Sequence, residues 1–214
     1  MKLTIKTLVL STTTFGLMLG VVQNAQAATI IPTAVMTPNL TSAPGWNANN
    51  TINGAGLSGN THAASTTANA WVSTAAAIQG PPNNSRITFE FGSSQTFLGF
   101  DFWNLGGSTV LSGQGIATAT IQASNDNGAS WTTISTANFT AGGFGSSIAA
   151  QQITFAPIVA HRIRLIDLTR QGGGTTGGIG FSEIKFQGTK IPEPSALLAL
   201  LAFGLAGVSL GKRI

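Results

Sequence analysis

Ala117-Thr118-Ala119-Thr120-Ile121-Gln122-Ala123-Ser124-Asn125-Asp126-Asn127-Gly128-Ala129-Ser130-Trp131-Thr132-Thr133-Ile134 is the stretch on which the fold turns. In its first half Ala117, Ala119, Ile121 and Ala123 alternate with Thr118, Thr120 and Gln122. That period of two belongs to a strand with one face buried. Asn125 to Gly128 is turn chemistry, with the Asp126 carboxylate placed to cap backbone amides. Trp131-Thr132-Thr133-Ile134 then starts a second strand. Trp131, in phase with Ile121, is expected in the core.

Working outward, the same alternation returns. Ile87, Phe89 and Phe91 alternate with Arg86, Thr88 and Glu90; Phe100 and Phe102 flank Asp101; Ile163 and Leu165 alternate with Arg162 and Arg164. Phe181 and Ile184 to Phe186 form a final strand. Phe91-Gly92 reads as a strand end before a hairpin. Turn clusters separate the strands: Gly80-Pro81-Pro82-Asn83-Asn84, Gly106-Gly107-Ser108, Gly142-Gly143, and Gly172 to Gly178. No 3.6-residue period of helical length interrupts them. The expectation is an all-β, antiparallel β-sandwich.

The order of landmarks carries a resemblance. Thr51-Ile52-Asn53-Gly54 and Ala70-Trp71-Val72-Ser73 come first, then Ile87 to Phe91 and Phe102-Trp103-Asn104. The Asn125-Asp126-Asn127-Gly128 turn with Trp131 follows, then His161-Arg162-Ile163-Arg164-Leu165 and Gly180-Phe181-Ser182-Glu183-Ile184-Lys185-Phe186. Over residues 46 to 188 this resembles a discoidin domain, the galactose-binding-like, coagulation factor type C jelly roll. The resemblance implies a non-catalytic, carbohydrate-binding module. It also implies a possible structural calcium, held by Glu183 of the closing strand and by Asn53, which stands where the family's Asp-Gly has its acid. A salt bridge from Glu183 to an arginine is the other reading of that acid.

The two ends are addresses. Lys2 and Lys6, the apolar run Leu8 to Val22, and Ala25-Gln26-Ala27 make residues 1–27 a secretory signal peptide cut after an A-x-A site at Ala25 and Ala27. At the other end Pro192-Glu193-Pro194 precedes the apolar run of residues 195–211, with Lys212 and Arg213 behind it. That run reaches roughly 25 Å as a helix, enough to span a bilayer at the low end, with its basic end cytoplasmic. Residues 191–214 resemble a PEP-CTERM sorting signal: motif, transmembrane helix, basic terminus. This implies handling by the export machinery and an exosortase, an inner-membrane intermediate, and delivery to the cell surface or extracellular matrix of a Gram-negative bacterium. A C-terminal anchor that stays uncut is the alternative.

Residues 28–190 remain as one domain. The chain of 214 residues carries 10 basic and 6 acidic side chains, a formal net charge of +4. Five of those 16 charges (Lys2, Lys6, Glu193, Lys212 and Arg213) lie in the sorting segments, leaving the domain near +1. It has no basic stripe to neutralise phosphates, so no nucleic acid is expected as partner. The absence of cysteine excludes a disulfide framework and thiol chemistry.

No catalytic residues are expected. Two histidines and no G-x-S-x-G elbow leave no serine triad, and each acid has a structural reading. His161 reads as a strand residue; His62, in a Thr/Ala/Ser-rich loop, reads as loop packing or part of a ligand site. Gly54 to Gly59 matches G-x-G-x-x-G by letter, but with no strand before it and no helix after it, it is a turn-rich loop. Trp46, Trp71, Trp103 and Trp131 are the aromatic faces on which a sugar could stack. Trp46, Trp103, Asn104 and His62 are the candidate ligand residues. A structural or adhesive matrix protein without a small-ligand site is the second reading, suggested by so little charge on a Ser-, Thr-, Asn- and Gly-rich chain. A polysaccharide hydrolase is the third.

Overall fold

Each alternating run forms a strand. The computed structural model describes residues 28–74, 85–173 and 177–190. The signal peptide, the Gly80–Asn84 turn, part of the Gly172–Gly178 run, and the membrane helix with its flanking motif therefore lie outside the described residues. In chain order the elements are β1 (Ala28–Ile30), β2 (Ala34–Met36), a 3-10 turn (Ala48–Thr51), β3 (Leu57–Ser58), β4 (Thr61–Ala63), β5 (Trp71–Val72) and β6 (Arg86–Asn104). Then come α1 (Thr109–Gln114), β7 (Ile116–Ser124), β8 (Thr132–Asn138), β9 (Ser147–Ala149), β10 (Gln151–Arg170) and β11 (Gly180–Lys190). Among the described residues no helix is long and apolar enough to cross a membrane.

The main sheet runs β1-β11-β6-β10-β7-β8, with β2 on β6 and β5 on β11; a small second sheet runs β3-β4-β9. All the strand pairs are antiparallel. The two long strands make one sheet serve as both layers of the sandwich. Along β10, Ala160 pairs with Gln95 while Arg162, two residues on, pairs with Glu90, so β6 has extra residues at this corner. Such a bulge bends and twists the strands it joins. The first part of β6 and the far end of β10 pair with β2 and β7, and the second part of β6 pairs with β11. This corrects the hairpin read at Phe91-Gly92, because the chain bends there and continues as strand.

The core lies inside the fold. Phe91 meets Phe97 across the corner at 4.6 Å between ring centroids, and Phe186 of β11 meets Phe89 and Phe91 at 5.1 Å each. Ile121, Ile163, Leu165 and Ile184 complete it, as the alternation requires. A fully buried phenylalanine contributes about 2–3 kcal/mol, so this cluster carries most of the stability.

Trp131 is outside that core. It precedes β8 on the outer face, half-buried, with the Arg164 guanidinium 4.0 Å above its ring and its indole N–H donating to Gly128 O at 3.0 Å. The turn before it folds as read: Asp126 accepts from the amide and hydroxyl of Ser130 and from the hydroxyl of Ser124. These bonds, the Ser130 hydroxyl first, hold its carboxyl well below the usual carboxylate range.

Candidate functional site: the loop end and the cleft beside Gly143

Four loops converge at one end of the sandwich, and Asn104, the last residue of β6, holds two of them, the one between β6 and β7 and the one after β8. Its Nδ2 donates to Ile116 O at 2.7 Å and to Thr140 O at 2.9 Å, and its Oδ1 accepts from Leu105 N and Ile116 N at 3.0 and 2.9 Å. An amide has two donors and two acceptor lone pairs, so every bond it can make is made. Its residue is 3% exposed. Asn104 therefore organises the site from beneath and presents nothing to a sugar.

Backbone contacts lock the loops. Ser65 N donates to Gly106 O, Gly107 N to Gly143 O, and Gly172 N to Gly113 O. Gly106 and Gly142 meet so closely that a Cβ on Gly142 would stand 2.2 Å from Leu105 O. The one short helix, α1, begins where the Ser108 hydroxyl accepts from Leu111 N. Sequence periodicity does not signal it, because its six residues are too few to show a period.

Between these loops lies a cleft of about 400 Å³, lined by Thr140 to Gly143 and by Ser147 to Gln151, with Asn104 and Phe102 at its base. Phe144, next to the lining Gly143, is 68% exposed. Val110 of α1 is similarly exposed, and Trp46 packs half-buried on the Ala70, Val72 and Leu105 cluster. An aromatic ring beside a polar, backbone-lined cleft offers what a pyranose needs: an apolar face for its C–H face and hydrogen-bond partners for its hydroxyls. Phe144 is absent from the sequence-based candidates. Its signal is nevertheless there: an aromatic fenced by Gly142, Gly143 and Gly145 has no alternating partner and cannot be strand core.

The other candidates are placed elsewhere. Trp103 is 2% exposed, with its indole N–H donating to Asn60 O at 3.1 Å, so it supports the Asn60 turn and offers no stacking face. Trp71 is likewise buried, donating to Ser42 Oγ. His62 is completely buried; its Nδ1 donates to Ala63 O at 2.7 Å, and its ring packs against Gly56, whose φ of +86° leaves no room for a side chain. Its Nε2 has no hydrogen-bond partner among the described residues. The His62 ring is thus loop packing, and no ligand reaches it.

Glu183 sits under the Asn53–Gly54 turn. A register shift between Phe181 and Glu183 breaks the period of two, so that Gly180 to Ile184 are all buried, Glu183 to 1% exposure. Its Oε2 accepts from Gly54 N at 3.1 Å. Burial pushes its carboxyl up from 4.5 to about 8, against the pull of that N–H and of the Lys185 charge. Among the described residues the expected salt bridge to an arginine is not formed; the cation nearest Glu183 in charge terms is Lys185. Calcium takes six to eight oxygens, backbone carbonyls among them; of the two side chains expected to supply some of these, Glu183 Oε2 accepts from Gly54 N and Asn53 Oδ1 accepts from Ala55 N at 2.8 Å. Glu183 caps this turn.

Known proteins bear on both parts of the chain. Residues 190–213 match the PEP-CTERM protein-sorting motif. Among the curated proteins none matches the chain. Solved structures share its fold. The family 32 carbohydrate-binding module of NanJ from Clostridium perfringens, solved with galactose, aligns with a TM-score of 0.52 and 13% identity over 76% of this chain and 99% of that one. The C-terminal domain of a chitobiase from Bacteroides fragilis aligns with a TM-score of 0.52 and 18% identity over 77% and 100%. The family 32 module of AlyQ, solved with 4,5-unsaturated mannuronic acid, aligns with a TM-score of 0.51 and 16% identity over 74% and 97%. At such identities the likeness is one of fold: an antiparallel β-sandwich of the family 32, discoidin-like type.

Proposed function

We propose that the chain is an exported, surface-sorted, non-catalytic module that binds carbohydrate at its loop end. The observation that carries this is Phe144, an exposed ring on a glycine-fenced loop whose preceding residues, Thr140 to Gly143, line the cleft. Fold supports it by analogy, since structures of this type have been solved with sugars. The sorting motif supports export, exosortase processing and a place at the cell surface or in the matrix of a Gram-negative bacterium. The domain plan is a leader at 1–27, the sandwich at 28–190 and the sorting segment at 191–214.

The placement of the acids favours binding over turnover. Hydrolysis of a glycosidic bond needs two carboxyl groups flanking it. The cleft lined by Thr140 to Gly143 has none, and the clefts at Asp101, Asp126 and Glu183 have one each. A glycan array on the full chain, in a detergent without a sugar headgroup, tests the reading. Wild type should bind a defined set of glycans, and Phe144→Ala should lose at least tenfold in affinity with an unchanged melting temperature. No binding to any glycan, with self-association instead, would transfer the account to a structural matrix protein.

A further inference from the structure

The outer face of the main sheet carries a second cleft, of about 540 Å³, where the small sheet leans against it. Its floor is built from neighbouring strands. Gln152 of β10 is paired with Asp101 of β6, and Gln187 of β11 bonds to the same Asp101. Gln152 Nε2 donates to Gln187 Oε1 at 3.4 Å, and Gln187 Nε2 donates to Asp101 Oδ2 at 2.8 Å. Asn60 and Thr61 form the opposite wall, fixed by the Trp103 indole through Asn60 O and by the pairing of Thr61 with Ala149. Ala149 and Ala150 keep the space between them open.

We propose that this cleft is a second glycan site, adjoining the loop-end cleft with which it shares Ala149 and Ala150, and selective for neutral or amino sugars. Two planar amides ending on a carboxylate present donors and acceptors in one row, the pattern that engages a pair of neighbouring hydroxyls. The chain of bonds orients each amide before a ligand arrives, so little ordering remains to be done on binding. Asp101 is the one charged side chain lining the cleft. It accepts hydroxyl and ammonium donors and repels a uronate carboxylate, which sets the ligand class.

The inference rests on the carbohydrate-binding reading, and one titration separates the two. The probes are a neutral galactose hexasaccharide and an alginate hexasaccharide, added to full chain labelled for side-chain amide NMR. The neutral probe should shift the Gln152 and Gln187 amide signals in wild type and in Phe144→Ala alike. Gln152→Ala should weaken that response about tenfold, and Asp101→Asn should let the alginate probe shift the Gln187 signal where wild type does not. If the neutral probe binds and moves only residues 140–147, the sheet-face site is refuted while the carbohydrate reading stands. If neither probe moves any signal, both are refuted.

Discussion

Glu183 is an acid whose environment forbids its charge. Its carboxyl titrates near 8 in the folded chain and near 4.5 when solvated, so the folded state holds the proton to higher pH than the unfolded state. The stabilising contribution is therefore complete below pH 4.5, declines as pH rises, and is gone above about 8. Linkage makes the decline up to about 1.4 kcal/mol per pH unit inside that window, a few kcal/mol in all. Thermal melts of wild type should fall across pH 5–8, while Glu183→Gln, which stays neutral, should show a shallower slope. Equal slopes would mean that Glu183 is charged in the fold and partnered some other way.

Elements show where a single sequence speaks and where it stops. Alternation makes β7, the first part of β6 and the Ile163–Leu165 segment legible, because each buries one face and Phe89, Ile121 and Ile163 must point the same way. Bulges are not legible. Nothing in Phe91-Gly92-Ser93-Ser94 distinguishes a bend within a strand from a hairpin, and the register shift after Phe181 buries Glu183 against the period. Loop roles suffer most, since Trp103 and Asn104 look like ligand residues by type and prove to be supports by burial. Asn104 supplies the element-scale test. Asn104→Asp keeps the shape and loses both donors; Ile116 O keeps the Gln171 Nε2 donor, while Thr140 O loses its side-chain donor, at a cost of about 1–3 kcal/mol. Denaturant melts should show that loss together with weakened glycan binding. A stable variant with loosened binding would still fit a loop organiser; a stable variant with intact binding would not.

At the scale of the whole molecule, the charge that makes the chain basic is confined to its ends, and the folded domain is almost neutral. The ion pair of Arg162 with Glu90, at 2.6 Å, is partly exposed and contributes under about 1 kcal/mol, so the phenylalanine core holds the sandwich. The C-terminal end matches a protein-sorting motif. Replacing Pro192-Glu193-Pro194 by alanines should leave a longer, membrane-held product on an immunoblot of the host's membrane fraction; unchanged processing would refute the exosortase reading. On the proposed reading, the loop end is what meets the ligand. Amide hydrogen exchange on the full chain, with and without the strongest ligand from the array, measures that encounter most directly. Protection concentrated at residues 140–147, around Phe144, is the predicted result; binding that leaves exchange in that segment unchanged would contradict it.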